Sequence, residues 1–291
     1  MINLTGVKKH YGYFNLDCTM QVKAGRVTGL IGRNGSGKST IFKAILNLIN
    51  IEDGVIEVFP EGGYENSTAK KQDIGVFLNY SGFSENLTIK HIANILESMY
   101  LRFNKVKFLE QCKSFNLPLK KKIKTFSTGM KTKLKILVAI SYDAKLLLLD
   151  EPTTGLDIIA RDEILHLLRT FMLAGEKSIL ISSHIAKDLE SICDDIYLID
   201  EGKICFYETM DVLLDQYGIL KLDDEQFKAI DKEYLMKINR ENYGYICLTK
   251  EKQFYQENYK DIVIERCDID MLMRMLVGDY TYVDSREGGN L

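Results

Sequence analysis

A glycine-rich segment near the start of the chain contains the residue types that hold phosphate groups. From Gly32 to Thr40 the sequence reads G-R-N-G-S-G-K-S-T, and Gly32, Gly37, Lys38 and Ser39 satisfy the pattern G-x-x-x-x-G-K-[ST]. Glycines let the backbone turn so that successive N–H groups point at phosphate oxygens, and a helix that starts near Lys38 adds the positive end of its dipole. We expect Lys38 to contact the β and γ phosphates of a nucleotide and Ser39 to offer its hydroxyl to Mg²⁺. The strand before the loop and the helix after it favour this interpretation over a tight structural turn.

Two carboxylates stand at the end of a second, strongly apolar segment. Leu146 to Leu149 is followed by Asp150, Glu151 and Pro152. At the carboxyl end of a central strand, next to a phosphate loop, these carboxylates would face the ligand crevice. We expect Asp150 to hold Mg²⁺ through water and Glu151 to polarise the attacking water as a general base. Taken alone, the segment also fits a strand that ends in surface acids.

Strand-like and helix-like segments alternate over roughly the first 180 residues. The expected strands are 26–31, 74–78, 146–149 and 178–182. Helical spacing of apolar residues covers 40–49, 88–117, 130–141 and 158–172. This alternation predicts an α/β fold, with a mostly parallel sheet covered by helices on both faces.

The composition argues against several classes of protein. The 291 residues suffice for one large core and a small second unit. A net charge of −3 argues against a nucleic-acid partner, which more often meets a basic face. No apolar run reaches the ~20 residues of a membrane helix, and no signal peptide is expected. Six scattered cysteines without a C-x-x-C pair indicate isolated, reduced thiols rather than a disulfide or metal framework.

Three further motifs complete a pattern that resembles the ATP-binding cassette (ABC) family. The polar turn Ser127-Thr128-Gly129-Met130 precedes a helix, residues 155–157 read G-L-D, and His184 follows the strand 178–182. Together with the phosphate loop and the acidic strand end, they form five motifs in the order of the family, over about residues 1 to 216. The resemblance implies a P-loop cassette with a mainly parallel sheet core, an antiparallel β subdomain and a helical subdomain.

The same resemblance implies roles for individual residues. Tyr11 looks like the aromatic residue that stacks on adenine, and Ser127 and Gly129 look like the signature residues that contact the γ-phosphate. Asp157 resembles the acid that crosses the dimer seam, and His184 resembles the switch histidine that reaches the γ-phosphate. The implied catalytic residues are Glu151, His184 and Lys38. The implied nucleotide-binding residues are Tyr11, Gly32, Arg33, Asn34, Gly35, Ser36, Gly37, Lys38, Ser39, Thr40, Asn79, Ser127, Gly129 and Asp157.

The sequence departs from the family pattern at two places. In the signature turn, Thr128 replaces the first glycine and Met130 replaces the glutamine. After the strand near residue 78, Asn79 stands where the family usually has a glutamine. It keeps the carboxamide but is one methylene shorter, so we expect it to meet Mg²⁺ through a bridging water. The implied metal set is therefore Ser39, Asn79 and, through water, Asp150.

The chain is expected to contain more than one folding unit. We assign residues 1–217 to the cassette, with its helical subdomain at about 80–140. Residues 218–283 are rich in Asp, Glu, Lys and Tyr and read as a small α+β accessory domain. Residues 284–291 look like a loose tail. A lysine run at 120–124 fits a solvated face or, alternatively, contact with a membrane partner or anionic head groups.

The resemblance implies an ATPase subunit that needs ATP and Mg²⁺, pairs with a second cassette as a homo- or heterodimer, and sits beneath a separate transmembrane permease. It would be peripheral to the cytoplasmic face of the membrane. The most similar members look like Gram-positive exporter ATPases, such as those for antimicrobial peptides or phenol-soluble modulins. Two alternatives remain at this point. One is a soluble cassette ATPase that acts on ribosomes or DNA, and the other is a non-hydrolytic regulatory cassette.

Overall fold

The computed structural model describes residues 1–60, 67–79 and 82–277. The chain divides into two compact units, Met1–Tyr207 and Glu208–Leu291. The boundary expected after Tyr217 lies ten residues (217 minus 207) beyond this division. The expected tail, 284–291, lies outside the described residues.

A nine-stranded sheet organises the first unit. Its strands are β1 (Ile2–Tyr11), β2 (Phe14–Val22), β3 (Val27–Ile31), β4 (Asp53–Val58), β5 (Ile74–Phe77), β6 (Leu146–Asp150), β7 (Ser178–Ser182), β8 (Asp195–Asp200) and β9 (Lys203–Thr209). Their spatial order is β4-β1-β2-β9-β8-β3-β7-β6-β5. The strands β4, β1 and β2 form the antiparallel part of the sheet, while β8, β3, β7, β6 and β5 pair in parallel.

The parallel strands lie inside the protein. Every residue of β3, β6 and β7 is buried, which explains why these segments are nearly continuous apolar runs rather than alternating ones. Strand register brings Leu30 level with Ser182, and Ser182 level with Asp150. The carboxyl ends of the three strands therefore meet at one edge of the sheet.

Helices separate these strands along the chain. They are α1 (Lys38–Ile45), α2 (Ser67–Gln72), α3 (Ile89–Met99), α4 (Lys105–Ser114), α5 (Thr128–Ile140), α6 (Ile158–Met172) and α7 (Ala186–Ile192), with a 3-10 turn at Ile123–Thr125. The helix expected over 40–49 ends earlier, because Asn47 adopts a positive φ of 55°. The helical pattern over 88–117 is two helices, since Asn104 caps α4 by accepting a hydrogen bond from the backbone N–H of Lys107.

The second unit is a small α+β structure. It contains α8 (Met210–Gln216), β10 (Gly218–Leu222), α9 (Asp224–Ala229), β11 (Leu235–Glu241), β12 (Gly244–Thr249), α10 (Lys252–Asn258), β13 (Val263–Arg266) and α11 (Ile269–Val277). The strands form an antiparallel sheet in the order β11-β12-β10-β13. Leu220, Leu222, Phe227, Cys247 and Tyr255 are among the residues of its separate core.

Over the residues that the structure describes, no helix combines the length and apolar character required to cross a membrane.

Candidate functional site

The phosphate loop lies between the buried strand β3 and helix α1. Gly35 and Gly37 adopt positive φ values of 84° and 114°, which other residues rarely reach. At Gly37 an added Cβ would lie 2.8 Å from the ring of Phe14. At Gly32 it would lie 2.2 Å from the carbonyl oxygen of Ile199. The pattern of glycines therefore follows from backbone conformation and close packing.

Lys38 is the first residue of α1 and is only 5% exposed. Its Nζ donates hydrogen bonds to the carbonyl oxygens of Gly32 (2.8 Å) and Arg33 (3.2 Å). The same atom lies 3.5 Å from Oε1 of Glu151. The ammonium group is thus held inside the curve of the loop. The adjacent Ser39 is exposed at the start of the helix.

Asp150 occupies the last position of β6 and is 2% exposed. Ser182 Oγ donates a hydrogen bond to Asp150 Oδ1 over 2.8 Å. The backbone N–H of Glu151 donates to Ser182 Oγ (3.0 Å) and to the Ser182 carbonyl (3.2 Å). Ser182 was not among the expected site residues. Its position at the end of a strand predicted to lie in the same parallel sheet was the signal that could have identified it.

Glu151 stands just beyond the strand, with a positive φ of 54°. Its Oε2 accepts a hydrogen bond from Thr154 Oγ1 (3.0 Å) and lies 3.0 Å from Nδ1 of His184. Partial burial raises the pKa of Glu151, but the Thr154 hydrogen bond and the charges of Lys38 and His184 outweigh this effect. The net pKa is therefore lower than usual, and the carboxylate is kept ionised. Thr154 is a second residue that the sequence analysis missed.

Asn79 follows β5 at the same edge of the sheet. The last residue of β5, Phe77, pairs with Leu149, which directly precedes Asp150. The Asn79 side chain is exposed. Strand register therefore places Asn79 on the edge where the acidic strand end lies.

The signature turn and the G-L-D turn lie against each other. Ser127 caps α5, with its Oγ accepting from the N–H of Met130 (3.2 Å). Asp157 caps α6, with Oδ1 accepting from the N–H of Ala160 (2.8 Å). A Cβ on Gly129 would lie 3.5 Å from the Cβ of Ala160. Among the described residues, no hydrogen bond or ion pair joins these turns to residues 32–40.

Tyr11 ends β1 and faces Phe14 across the first turn of the antiparallel strands. Its side chain is 46% exposed, and Lys9 Nζ lies 5.3 Å from the centre of its ring. Because Phe14 packs against Gly37, this turn lies beside the phosphate loop. An exposed ring next to a phosphate loop is suitably placed for stacking on a nucleotide base.

Oxygen atoms are the candidate metal ligands at this edge of the sheet. In the described parts of the chain, His, Cys, Asp and Glu form no cluster of three or more that could hold a metal ion. The Ser39 hydroxyl and the Asp150 carboxylate are hard oxygen donors. Such donors suit Mg²⁺, which keeps several waters and needs few protein ligands when phosphates are present.

Comparisons with known proteins agree with this geometry. A family model described as "ABC transporter" matches residues 16–154. The lantibiotic transport ATP-binding protein SrtF of Streptococcus pyogenes is 34% identical over 223 residues, which cover 72% of this chain and 92% of SrtF. The bacitracin transport ATP-binding protein BcrA of Bacillus licheniformis is 33% identical over 208 residues, which cover 70% of this chain and 66% of BcrA.

A solved structure shares the same fold. It is described as the ATP-binding subunit of an ABC transporter and has a TM-score of 0.65 at 26% identity. The match covers 74% of this chain and 92% of that chain. The mixed sheet and its surrounding helices are therefore those of a known nucleotide-binding architecture.

Proposed function

This chain belongs to the ABC transporter ATP-binding family and is an ATPase, and we propose that it powers the export of a peptide through a separate membrane permease. One observation carries the proposal. Lys38, Glu151 and His184 come from three distant segments, yet Glu151 lies within 3.5 Å of Lys38 and 3.0 Å of His184. A phosphate-binding cation, a general base and a second polar group thus meet at the end of one buried sheet.

The loop from Gly32 to Thr40 would hold the phosphates of ATP. Support comes from Lys38, whose Nζ already lies inside the loop on the carbonyl oxygens of Gly32 and Arg33. A phosphate is a stronger acceptor for an ammonium group than a neutral carbonyl, so ATP would compete well for this cation. The remaining loop residues, Asn34, Gly35, Ser36, Gly37, Ser39 and Thr40, would contribute backbone N–H groups and short side chains.

Mg²⁺ is the metal that best fits the oxygen donors at this edge. Ser39 would bind it directly, and Asp150 and Asn79 would reach it through water. When bound, Mg²⁺ neutralises charge on the β and γ phosphates. The hydrogen bond from Ser182 supports this role for Asp150, because it fixes the carboxylate at the end of β6.

Glu151 would act as the general base in hydrolysis. Its lowered pKa keeps the carboxylate ionised at neutral pH, so it can accept hydrogen bonds from an attacking water. His184 contacts the same carboxylate and is partly exposed, so it could reach a γ-phosphate at the mouth of the site. Both residues argue against a non-hydrolytic regulatory cassette.

Two copies would complete the ATP site. Ser127 and Asp157 are exposed caps on neighbouring helices and do not bond to residues 32–40, so a second cassette would bring its own signature turn to this phosphate loop. The two residues after Asp157 support this arrangement. Ile158 and Ile159 are 73% and 75% exposed, which is unusual for large apolar side chains on a surface that stays in water. Tyr11 would stack on the adenine base.

The permease would dock in a groove on the first unit. A cavity of about 800 Å³ is lined by apolar residues of α1, β5 and α3, including Ile45, Ile74 and Leu96. Lys70 and Lys71 also line it. These features suit an amphipathic helix that carries a carboxylate on its polar side. Docking there would hold the chain at the cytoplasmic face of the membrane.

A peptide is the best-supported cargo. SrtF is named for lantibiotic transport and BcrA for bacitracin transport, and both compounds are antimicrobial peptides. The net charge of −3 gives no support to a ribosome- or DNA-directed cassette. Direction of transport and the peptide itself would be determined by the permease.

The accessory region would serve assembly rather than catalysis. We keep the assignment of 1–217 to the cassette, with a helical subdomain at about 80–140, and of 218–283 to the accessory domain. Every proposed nucleotide contact precedes residue 218. The separate core of the second unit supports independent folding.

The test is protection of a sensitive host against a peptide antibiotic. Cells that express the chain with its permease should survive a lantibiotic or bacitracin, and the chain should sediment with membranes. Glu151→Gln should abolish protection and lower ATP turnover about 10²–10⁴-fold, while accumulating an ATP-bound dimer on gel filtration. Glu110→Gln is a matched control, because Glu110 is exposed on α4. Full protection by the Glu151 variant, or sedimentation with ribosomes, would overturn the proposal.

A further inference from the structure

An incompletely bonded ion pair joins the two helices that follow the G-L-D turn and the switch histidine. Arg161 Nε lies 3.7 Å from Asp188 Oδ1. That separation is longer than the 2.7–2.9 Å of a close charge-assisted hydrogen bond. Asp188 is only 2% exposed, and neither its second oxygen, Oδ2, nor Arg161 Nε has a hydrogen-bond partner. The structure thus places a buried carboxylate near a partly exposed guanidinium group, and each has an atom without a hydrogen-bond partner.

The ion pair lies close in sequence to two candidate site residues, Asp157 and His184. Arg161 lies one turn into α6, and its N–H donates to the carbonyl of Asp157 (3.0 Å). Asp188 lies in the first turn of α7, and its N–H donates to the carbonyl of Ile185, directly after His184 (3.1 Å). One backbone hydrogen bond therefore connects Arg161 to the G-L-D turn, and another connects Asp188 to the loop that carries His184.

We propose that Arg161 and Asp188 are positioning residues that fix the distance between the switch histidine and the Asp157 turn. This inference rests on the proposed function, in which His184 serves one ATP site and Asp157 meets the partner cassette. Shortening of the Arg161–Asp188 contact would draw the first turn of α7 towards α6. A change at the dimer seam would thereby reach His184, and with it the Glu151 carboxylate that His184 contacts.

A second arginine on α6 supplies a matched control. Arg169 Nη2 donates a hydrogen bond to the backbone carbonyl of Ser191 over 3.3 Å. This contact also joins α6 to α7, but it lies two turns farther from the Asp157 turn and is exposed. An effect that depended only on joining α6 to α7 would appear in variants of both arginines. A positioning role restricts the effect on catalysis to Arg161.

The experiment measures ATP affinity and steady-state hydrolysis on the full chain. Arg161→Met and Asp188→Asn should each lower kcat about 2- to 30-fold, the range of coupling seen for residues that act through others. The Kd for ATP should stay within about twofold of wild type, because the phosphate loop is untouched, and Arg169→Met should keep wild-type kcat. The double variant Arg161→Met, Asp188→Asn should be no slower than the slower single variant, since both changes break one contact.

Asp188→Asn keeps the inference testable if the arginine variant fails to fold, because the amide replaces a buried charge with a neutral group of the same shape. Equal loss of kcat in Arg161→Met and Arg169→Met would overturn the inference, as would wild-type kcat in Asp188→Asn. So would additive losses in the double variant. Absence of hydrolysis by the wild-type chain would instead refute the proposed function.

Discussion

Removing the Ser182 hydroxyl should destabilise the first unit and slow hydrolysis together. Ser182 is fully buried between β3 and β6. Its Oγ donates to Asp150 Oδ1 (2.8 Å) and accepts from the N–H of Glu151 (3.0 Å). Ser182→Ala removes both bonds and leaves the Asp150 carboxylate without this donor.

The expected loss of stability follows from these two bonds. A hydrogen bond to a charged group contributes about 1.5–3 kcal/mol, so the Asp150 bond dominates. The Glu151 N–H keeps a second acceptor, the Ser182 carbonyl at 3.2 Å. Loss of its bond to the Ser182 hydroxyl therefore adds little to the destabilisation. We expect the free energy of unfolding to fall by about 2–3 kcal/mol. For a unit of this size, that loss lowers the midpoint of thermal unfolding by about 4–12 °C.

Circular dichroism is the suitable probe of thermal unfolding, because the chain contains no tryptophan. The transition that belongs to the first unit is the one that MgATP raises, since a ligand stabilises only the state that binds it. Ser141→Ala is the control, because Ser141, the C-cap of α5, donates a comparable 2.8 Å bond from its Oγ to the neutral carbonyl of Val138. A Ser182 variant as stable as the Ser141 variant, with normal turnover, would refute the reasoning.

Three further outcomes are expected. Lys38→Ala should weaken MgATP binding about 100-fold in a nucleotide titration, because the phosphates lose about 2.7 kcal/mol of charge-assisted bonding; near-normal affinity would contradict the assigned loop. A chain truncated after Tyr217 should bind ATP with unchanged affinity, but it should dimerise poorly or couple ATP hydrolysis poorly to transport. A truncated chain that folds but cannot bind ATP would show that the second unit belongs to the nucleotide site. In the native chain at pH 8, a thiol reagent should modify Cys205 faster than the other five cysteines, because only Cys205 is exposed. Burial raises the pKa of Cys205 as well, and it raises the pKa of Cys18 and Cys112 to about 12. Rapid reaction of several thiols would show that this burial is wrong.

Long periodic segments were the most predictable parts of the fold. The expected strand 178–182 and helix 158–172 coincide with β7 and α6. Both have a strong apolar pattern and a clear cap or turn at their ends, so local chemistry and tertiary packing agree. The helical pattern over 88–117 is confirmed by α3 and α4, but the break between them was not predicted, because the Asn104 cap that starts α4 is a local feature.

The candidate site was predictable where the chemistry is local. The phosphate loop depends on the conformational freedom of Gly37, which the motif records directly. Gly35 also adopts a positive φ, although the motif leaves its position open. Ser182 and Thr154 were missed because their importance depends on which atoms lie nearby. A serine at the end of a buried strand is common, and only strand register shows that its hydroxyl contacts Asp150.

Strand order explains how three separate motifs converge on one site. The strand β7 lies between β3 and β6, so its last residue is level with Leu30 on one side and with Asp150 on the other. The phosphate loop begins two residues after Leu30, and His184 stands two residues after Ser182. Because side chains alternate between the faces of a sheet, a shift of β7 by one residue would turn the Ser182 hydroxyl away from Asp150. The buried apolar residues of β7 therefore fix the register on which the contacts of the candidate site depend.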